Sequence, residues 1–215
     1  MSESTKDTIL RVAERRYATD GFAATSLRAI IKEAAVNTAA IHYHFGSREA
    51  LIEAVITRRT DAVNCQRIEL LDRLAASHPT GPLPLEGVIE AFLHPVIRMQ
   101  IDNAEEAAVF RKLIGRIAME TDDELRGIVM RIFDDIRKRF VSALVKALPN
   151  ATPEDVLWKF HFMIGAMCFA TAIPPGHGGR SSANAVSLDS KEHEVLERLV
   201  RFTAGGMRAG SAVAP

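Results

Sequence analysis

An all-α fold is predicted for this chain by three observations. Apolar residues recur at helical spacing in nearly every periodic stretch, whereas no run of β-branched residues alternates with polar ones as a half-buried strand requires. Glycine, proline and short capping residues fall where those helices would begin or end. With 215 residues, 47% hydrophobic and 25% charged, the chain is long enough to bury a substantial core.

The first helix is expected from about Thr5 to Thr19, with Ile9, Ala13 and Tyr17 on one stripe, flanked by Leu10 and Val12, and Gly21 as its stop. Thr25 or Ser26 then caps a short helix carrying Leu27, Ile30, Ile31 and Ala34. Asn37 is suited to cap another short helix that ends near His44, because its side-chain oxygen accepts from the first free N–H groups. Phe45-Gly46-Ser47 breaks that helix, and Ser47 caps a long fourth one bearing Leu51, Ile52, Val55 and Ile56. Two very short helices joined by a tight turn, within four helices in about seventy residues, form the helix-turn-helix pattern.

His78-Pro79-Thr80-Gly81-Pro82-Leu83-Pro84 ends the fourth helix in a turn-rich break. This divides the chain into an N-terminal module at 1–50, a linking helix at 48–75 and a larger helical domain at 76–215. In that domain helices are expected at about 86–101, 104–120, 122–148, 153–173 and 190–208, the first of them kinked or split at Pro95. Pro174 to Ser182 is too polar and glycine-rich to pack and reads as a mobile loop.

Formal net charge is zero, so overall composition offers no argument for a polyanionic partner. Residues 1–60 hold nine Lys/Arg against seven Asp/Glu, an excess too slight to identify a DNA binder by itself. Cys65 and Cys168 form no ligand spacing and suit a reducing compartment. No apolar run approaches the ~20 residues of a membrane span, and Glu3, Lys6 and Asp7 do not read as a signal peptide. A cytoplasmic protein with no membrane partner is expected. His42 and His44, two apart on a helix, diverge and do not suggest a shared metal. No nucleophile, base and orienter stand at recognisable spacing, so neither an enzyme nor a cofactor is expected.

Three ordered segments carry a resemblance. Gly21-Phe22 through Thr25-Ser26-Leu27-Arg28-Ala29-Ile30, then Ala34-Ala35-Val36-Asn37, then Ile41 to Leu51 resemble the DNA-binding region of the tetracycline-repressor (TetR) family of bacterial regulators. The family usually has glycine at the position of Ala35 and often lysine at that of Arg48. Neither departure is expected to trouble the fold, since alanine keeps the turn small and arginine keeps the charge. Trp158 to Ala166 and Phe202 to Arg208 bear a looser likeness to the fatty-acid-responsive, PsrA-like branch.

The chemistry of the module fits double-stranded DNA. Asn37, Thr38, Ala39 and Ala40 are small where a helix would enter a groove, so the backbone and its free N–H groups can approach phosphate closely. Tyr43 and His44 could donate to phosphate oxygens, contacts that set register without reading sequence. His42 either packs inside the module or touches DNA, while Ile41 and Phe45 belong to the core. Arg28 is long enough for a guanine edge or a phosphate, and Arg48 for the flanking backbone. The resemblance extends this interface to Thr25 and Ser26.

The second domain is rich in Phe and Met, whose flexible walls suit an elongated apolar guest. Met99, Phe110, Ile114, Ile117, Phe133, His161, Phe162 and Met167 are the candidate effector-binding residues, with His94, Gln100, Arg111, Arg116 or His161 available to fix a polar head group. Gly165, Ala166 and Ala170 on one terminal helix, with Leu196, Leu199 and Phe202 on the other, are candidates for a symmetric four-helix interface. The expected protein is a homodimeric regulator, a repressor released from a palindromic operator by a small apolar effector such as a fatty acid or acyl-CoA. The alternative is a helical lipid-binding protein or enzyme with an appended helix-turn-helix.

Overall fold

The structure, a computed structural model, describes residues 4–102, 104–172 and 192–210. Among these, every regular element is a helix: α1 (Thr5–Asp20), α2 (Leu27–Ala34), α3 (Thr38–Phe45), α4 (Arg48–Ser77), α5 (Leu85–Asp102), α6 (Ala104–Ala118), α7 (Asp123–Ala147), α8 (Pro153–Ala172) and α9 (Glu192–Arg208). The all-α fold predicted from the sequence is thus present, with helix boundaries within a few residues of those expected. The loop expected at Pro174 to Ser182 lies outside the described residues.

Local chemistry explains the N-terminal boundaries. The side chains of Ser4, Ser26, Asn37 and Ser47 each accept from the backbone N–H three residues on, at 3.1, 3.2, 2.8 and 3.1 Å, satisfying donors that a helix start leaves free. Gly46 ends α3 at φ +78°, a conformation that side chains resist. Ala35 ends α2 at φ +53°, in the left-handed region. The family's preference for glycine there is therefore a matter of backbone handedness and not of turn size, and alanine carries a steric cost that the sequence argument overlooked.

The chain forms two compact units, each discontinuous in sequence: residues 1–62 with 105–134, and residues 63–104 with 135–215. This grouping differs from the division at residue 76. The reason lies in α6 and the first half of α7, whose Leu113, Leu125 and Ile128 belong to the same buried cluster as Ile9, Ile30, Ile41, Leu51 and Ile56. Within the first unit α1, α2 and α3 pack on one another. Tyr17 lies fully buried with its ring 5.1 Å from that of Phe22. Its hydroxyl has no hydrogen-bond partner, and burial pushes its pKa up to about 12.

In the second unit α5 packs against both α8 and α9. The rings of Phe140 and Phe160 meet Phe92 edge-on, each 5.1 Å away. Helix α5 passes through Pro95 unbroken, so the split considered for it does not occur.

Candidate nucleic-acid interface

The exposed residues of α3 form the surface that meets solvent. Ile41 is wholly buried and anchors the helix, while Thr38, Ala39, His42 and Tyr43 are exposed and Ala40 and His44 half-buried. Tyr43 is 85% exposed, an unusual position for a large ring, and its edge rests against the His44 imidazole at 5.0 Å. His42 points outward and donates from Nδ1 to the Gly46 carbonyl (3.2 Å), which helps close the helix. Arg28 is exposed in the first turn of α2.

Besides Ser26 and His42, three more of the sequence-selected residues are engaged within the module. Thr25 is 2% exposed and donates from Oγ1 to the Gly21 carbonyl at 2.7 Å. It is a buried turn residue and does not join the exposed surface, because the chain rotates between the end of α1 and the Ser26 cap. Asn37 uses its side-chain oxygen on the Ala40 N–H. Arg48 is half-buried and donates from Nη2 to the Phe22 carbonyl at 2.6 Å, which holds the start of α4 against the turn after α1.

Further ion pairs brace the module. Glu33 on α2 takes both Arg15 and Arg16 of α1, and the Arg15 hydrogen bond, ahead of the Arg16 contacts, holds its carboxyl below the usual range. The buried Glu14 meets Arg59 of α4. On α6, Arg116 donates to the Thr19 carbonyl at the end of α1 (3.0 Å), so this candidate head-group ligand is a brace within the first unit.

The candidate effector residues are divided between the two units. Phe110, Ile114, Ile117 and Phe133 fall in the first, where Ile117 and Phe133 pack on the cluster beneath the DNA module. Met99, His161, Phe162 and Met167 fall in the second. Met167 is buried, but Phe162 is 66% exposed and His161, also exposed, donates to the Leu157 carbonyl on its own helix. The side chain of Gln100 lies outside the described residues. An open cleft of about 320 Å³ in the second unit is lined by Leu70, Leu74, Gly87, Ala91 and His94 among others, none of them in the candidate set except His94.

The dimerisation candidates also separate. Leu196 and Leu199 are 5% and 8% exposed, because α9 spends that stripe on α5 and α8, whereas Phe202 is 72% exposed. On α8, Gly165 is exposed and Ala166 and Ala170 half-buried. Trp158, Phe162 and Phe169 lie on that side of α8 and are 59%, 66% and 71% exposed. Trp158 and Phe169 were not singled out from the sequence as exposed aromatics of this face. Their i, i+4 and i+11 spacing was a usable signal, hidden because α8 is apolar on both faces, with Val156, Phe160, Met163 and Met167 buried opposite.

No helix among the described residues is long and apolar enough to cross a membrane. Comparison with known proteins agrees with this geometry. Over 55 residues the chain is 36% identical to the HTH-type transcriptional regulator UidR of Escherichia coli K12, a match that spans 26% of this chain and only 28% of that protein. The fold is similar to that of a regulatory protein in the tetR family from Rhodococcus RHA1 (TM-score 0.63, 16% identity, 98% of this chain and 100% of that one). It is also similar to that of a transcriptional regulator (TerR/AcrR family) from Aquifex aeolicus VF5 (TM-score 0.54, 20% identity, 93% and 97%). Residues 9–55 match the family model of bacterial regulatory proteins of the tetR family. Residues 90–206, more than half of the chain, match that of the tetracyclin repressor-like C-terminal domain. With an exposed reading helix in the first match and a separate helical unit across the second, the chain belongs to the tetR family of bacterial transcriptional regulators.

Proposed function

We propose that this regulator is a homodimeric, cytoplasmic repressor that binds a palindromic operator and leaves it when a small apolar effector occupies the second unit. The observation that carries the DNA contact is α3: small exposed side chains at its N-terminal end, Tyr43 projecting at the other, and Ile41 fixing the helix from beneath. Such a helix enters a major groove and places its N-terminus at phosphate.

A second copy covers the exposed aromatic stripe of α8 and α9. Trp158, Phe162 and Phe169 expose large apolar surface along one side of α8, and Phe202 exposes more on α9, while Gly165, Ala166 and Ala170 let a partner helix approach closely.

The effector class follows from the wall of the second unit, where Phe92, Phe140, Phe160, Met163 and Met167 are all buried. Such side chains adapt to an extended hydrocarbon, which favours a long-chain fatty acid or acyl-CoA, with a steroid-like molecule as the second choice. In this reading the effector lies against Met167 and its neighbours in the second unit. Anisotropy of a labelled palindromic duplex, titrated with C8 to C18 acids and their CoA esters, tests the whole reading. Release of DNA by members of the panel is the expected result, and release only by a compact polar compound would overturn it.

A further inference from the structure

Helix α4 carries its inward stripe through Thr60, Val63, Asn64, Arg67 and Leu71, all buried, so a guanidinium occupies a place where helical spacing calls for an apolar residue. Arg67 is 4% exposed. Its Nε donates to the Phe92 carbonyl at 2.9 Å, Nη1 to Asn64 Oδ1 at 3.1 Å and Nη2 to the Met167 sulfur at 3.5 Å. Its carbon centre lies 3.9 Å from the centroid of the Phe92 ring. Every one of these partners is neutral, and no carboxylate of the described residues pairs with it.

A buried cation ordinarily has an anion beside it, since the loss of hydration is otherwise uncompensated. Neutral acceptors and a ring face offset only part of that loss, and a thioether is a weak acceptor. Among the described residues, only three of the five guanidinium N–H groups find an acceptor. Burial pulls the pKa down to about 9, against a smaller opposing influence of Cys168, so the group still carries its charge at neutral pH.

We propose that Arg67 is the head-group anchor of the second unit, taking the carboxylate of an amphiphilic acid on its two η nitrogens while the hydrocarbon tail lies against Met163, Met167 and the Phe92–Phe140–Phe160 cluster. The guanidinium fork matches a carboxylate in two parallel hydrogen bonds, and the ligand oxygen replaces the Met167 sulfur as the acceptor for Nη2. The low-dielectric surround that makes the lone cation costly makes the completed pair strong. This inference rests on the apolar-effector reading above and narrows it to a free acid. A CoA thioester presents no charge at its acyl end, and a neutral steroid presents none anywhere.

The test uses the full-length protein with straight-chain C8 to C18 carboxylates, their methyl esters and the corresponding primary alcohols, followed by calorimetric titration and thermal shift. The acids should bind about tenfold or more tightly than esters or alcohols of equal length. Arg67→Met should lose that preference while keeping ester binding, and without ligand it should melt no lower than the wild type because a lone buried charge has gone. Equal affinity of the wild type for acids and esters, no acid binding at all, or acid preference retained in Arg67→Met would each overturn the proposal. Should the variant fail to fold, the wild-type comparison of acid with ester decides alone. DNA release by acids and esters alike would sink the anchor and keep the apolar effector. Acid binding that depends on Arg67 yet releases no DNA would do the reverse.

Discussion

The Arg48 guanidinium donates a 2.6 Å hydrogen bond to the carbonyl oxygen of Phe22, joining the first turn of α4 to the corner that follows α1. A half-buried charged donor on the carbonyl of a buried residue contributes to stability as well as to charge. Arg48→Ala should therefore lower unfolding free energy by about 1–2 kcal/mol in urea titration and weaken binding to specific and random DNA alike. A loss of DNA affinity at unchanged stability would show that the Phe22 contact contributes nothing to the fold.

Ala35→Gly should stabilise the protein by roughly 0.5–1 kcal/mol, since glycine adopts φ +53° without the penalty an L side chain incurs, less the extra entropy it gives the unfolded chain. The melting temperature is the measure, and a decrease would mean that the left-handed turn is not where the strain lies.

Substitutions at Tyr43 and Arg28 are expected to separate positioning from readout. Tyr43→Phe, at an 85% exposed site, should leave stability within about 0.5 kcal/mol while lowering affinity for all duplexes and leaving sequence preference intact. Arg28→Ala should relax preference at one base pair, with a loss of about 1–3 kcal/mol there. Equal losses of Arg28→Ala on specific and random DNA would assign it to phosphate.

Phe162→Asp and Phe202→Asp place a charge on side chains that are 66% and 72% exposed in the single chain. Both variants should keep their helix content and sediment as monomers, with palindrome binding weakened to that of a single half-site. A dimer that survives both substitutions would move the interface elsewhere.

Acid should loosen the contact of α1 with α2. Arg15 first, and Arg16 with it, hold the Glu33 carboxyl below its ordinary value of 4.5. A depressed carboxylate contributes stability that is complete above that ordinary value and is lost as pH falls through the lower, folded one. Melting temperatures taken from pH 6 to pH 3 should fall less steeply for Glu33→Gln than for the wild type. Parallel curves would show that Glu33 is not a source of the acid sensitivity.

The parts of this molecule set by local chemistry were legible in the sequence. Ser26, Asn37 and Ser47 cap the helices assigned to them, because a cap is decided within four residues. What depends on how distant helices turn toward one another was not. Thr25 and Ser26 are neighbours in one motif, yet one is buried and the other exposed. Leu196 and Phe202 are both apolar, but α9 has two apolar sides and only packing decides which one faces α5 and α8. Arg67 was not singled out in the sequence, because the neutrality of its partners among the described residues is visible only in three dimensions.

The shared cluster of Ile9, Ile41 and Leu51 with Leu113, Leu125 and Ile128 also sets an order of events during synthesis. Residues 1–62 leave the ribosome well before residues 105–134, the segment that completes their unit, and at ~5–20 residues per second the interval is several seconds. Throughout it the nascent reading helix rests on an unfinished core. The first unit of this regulator therefore matures only after the opening stretch of the second, residues 63–104, has been made, and a nascent chain interrupted before α6 would release a fragment bearing the recognition motif without the packing that steadies it.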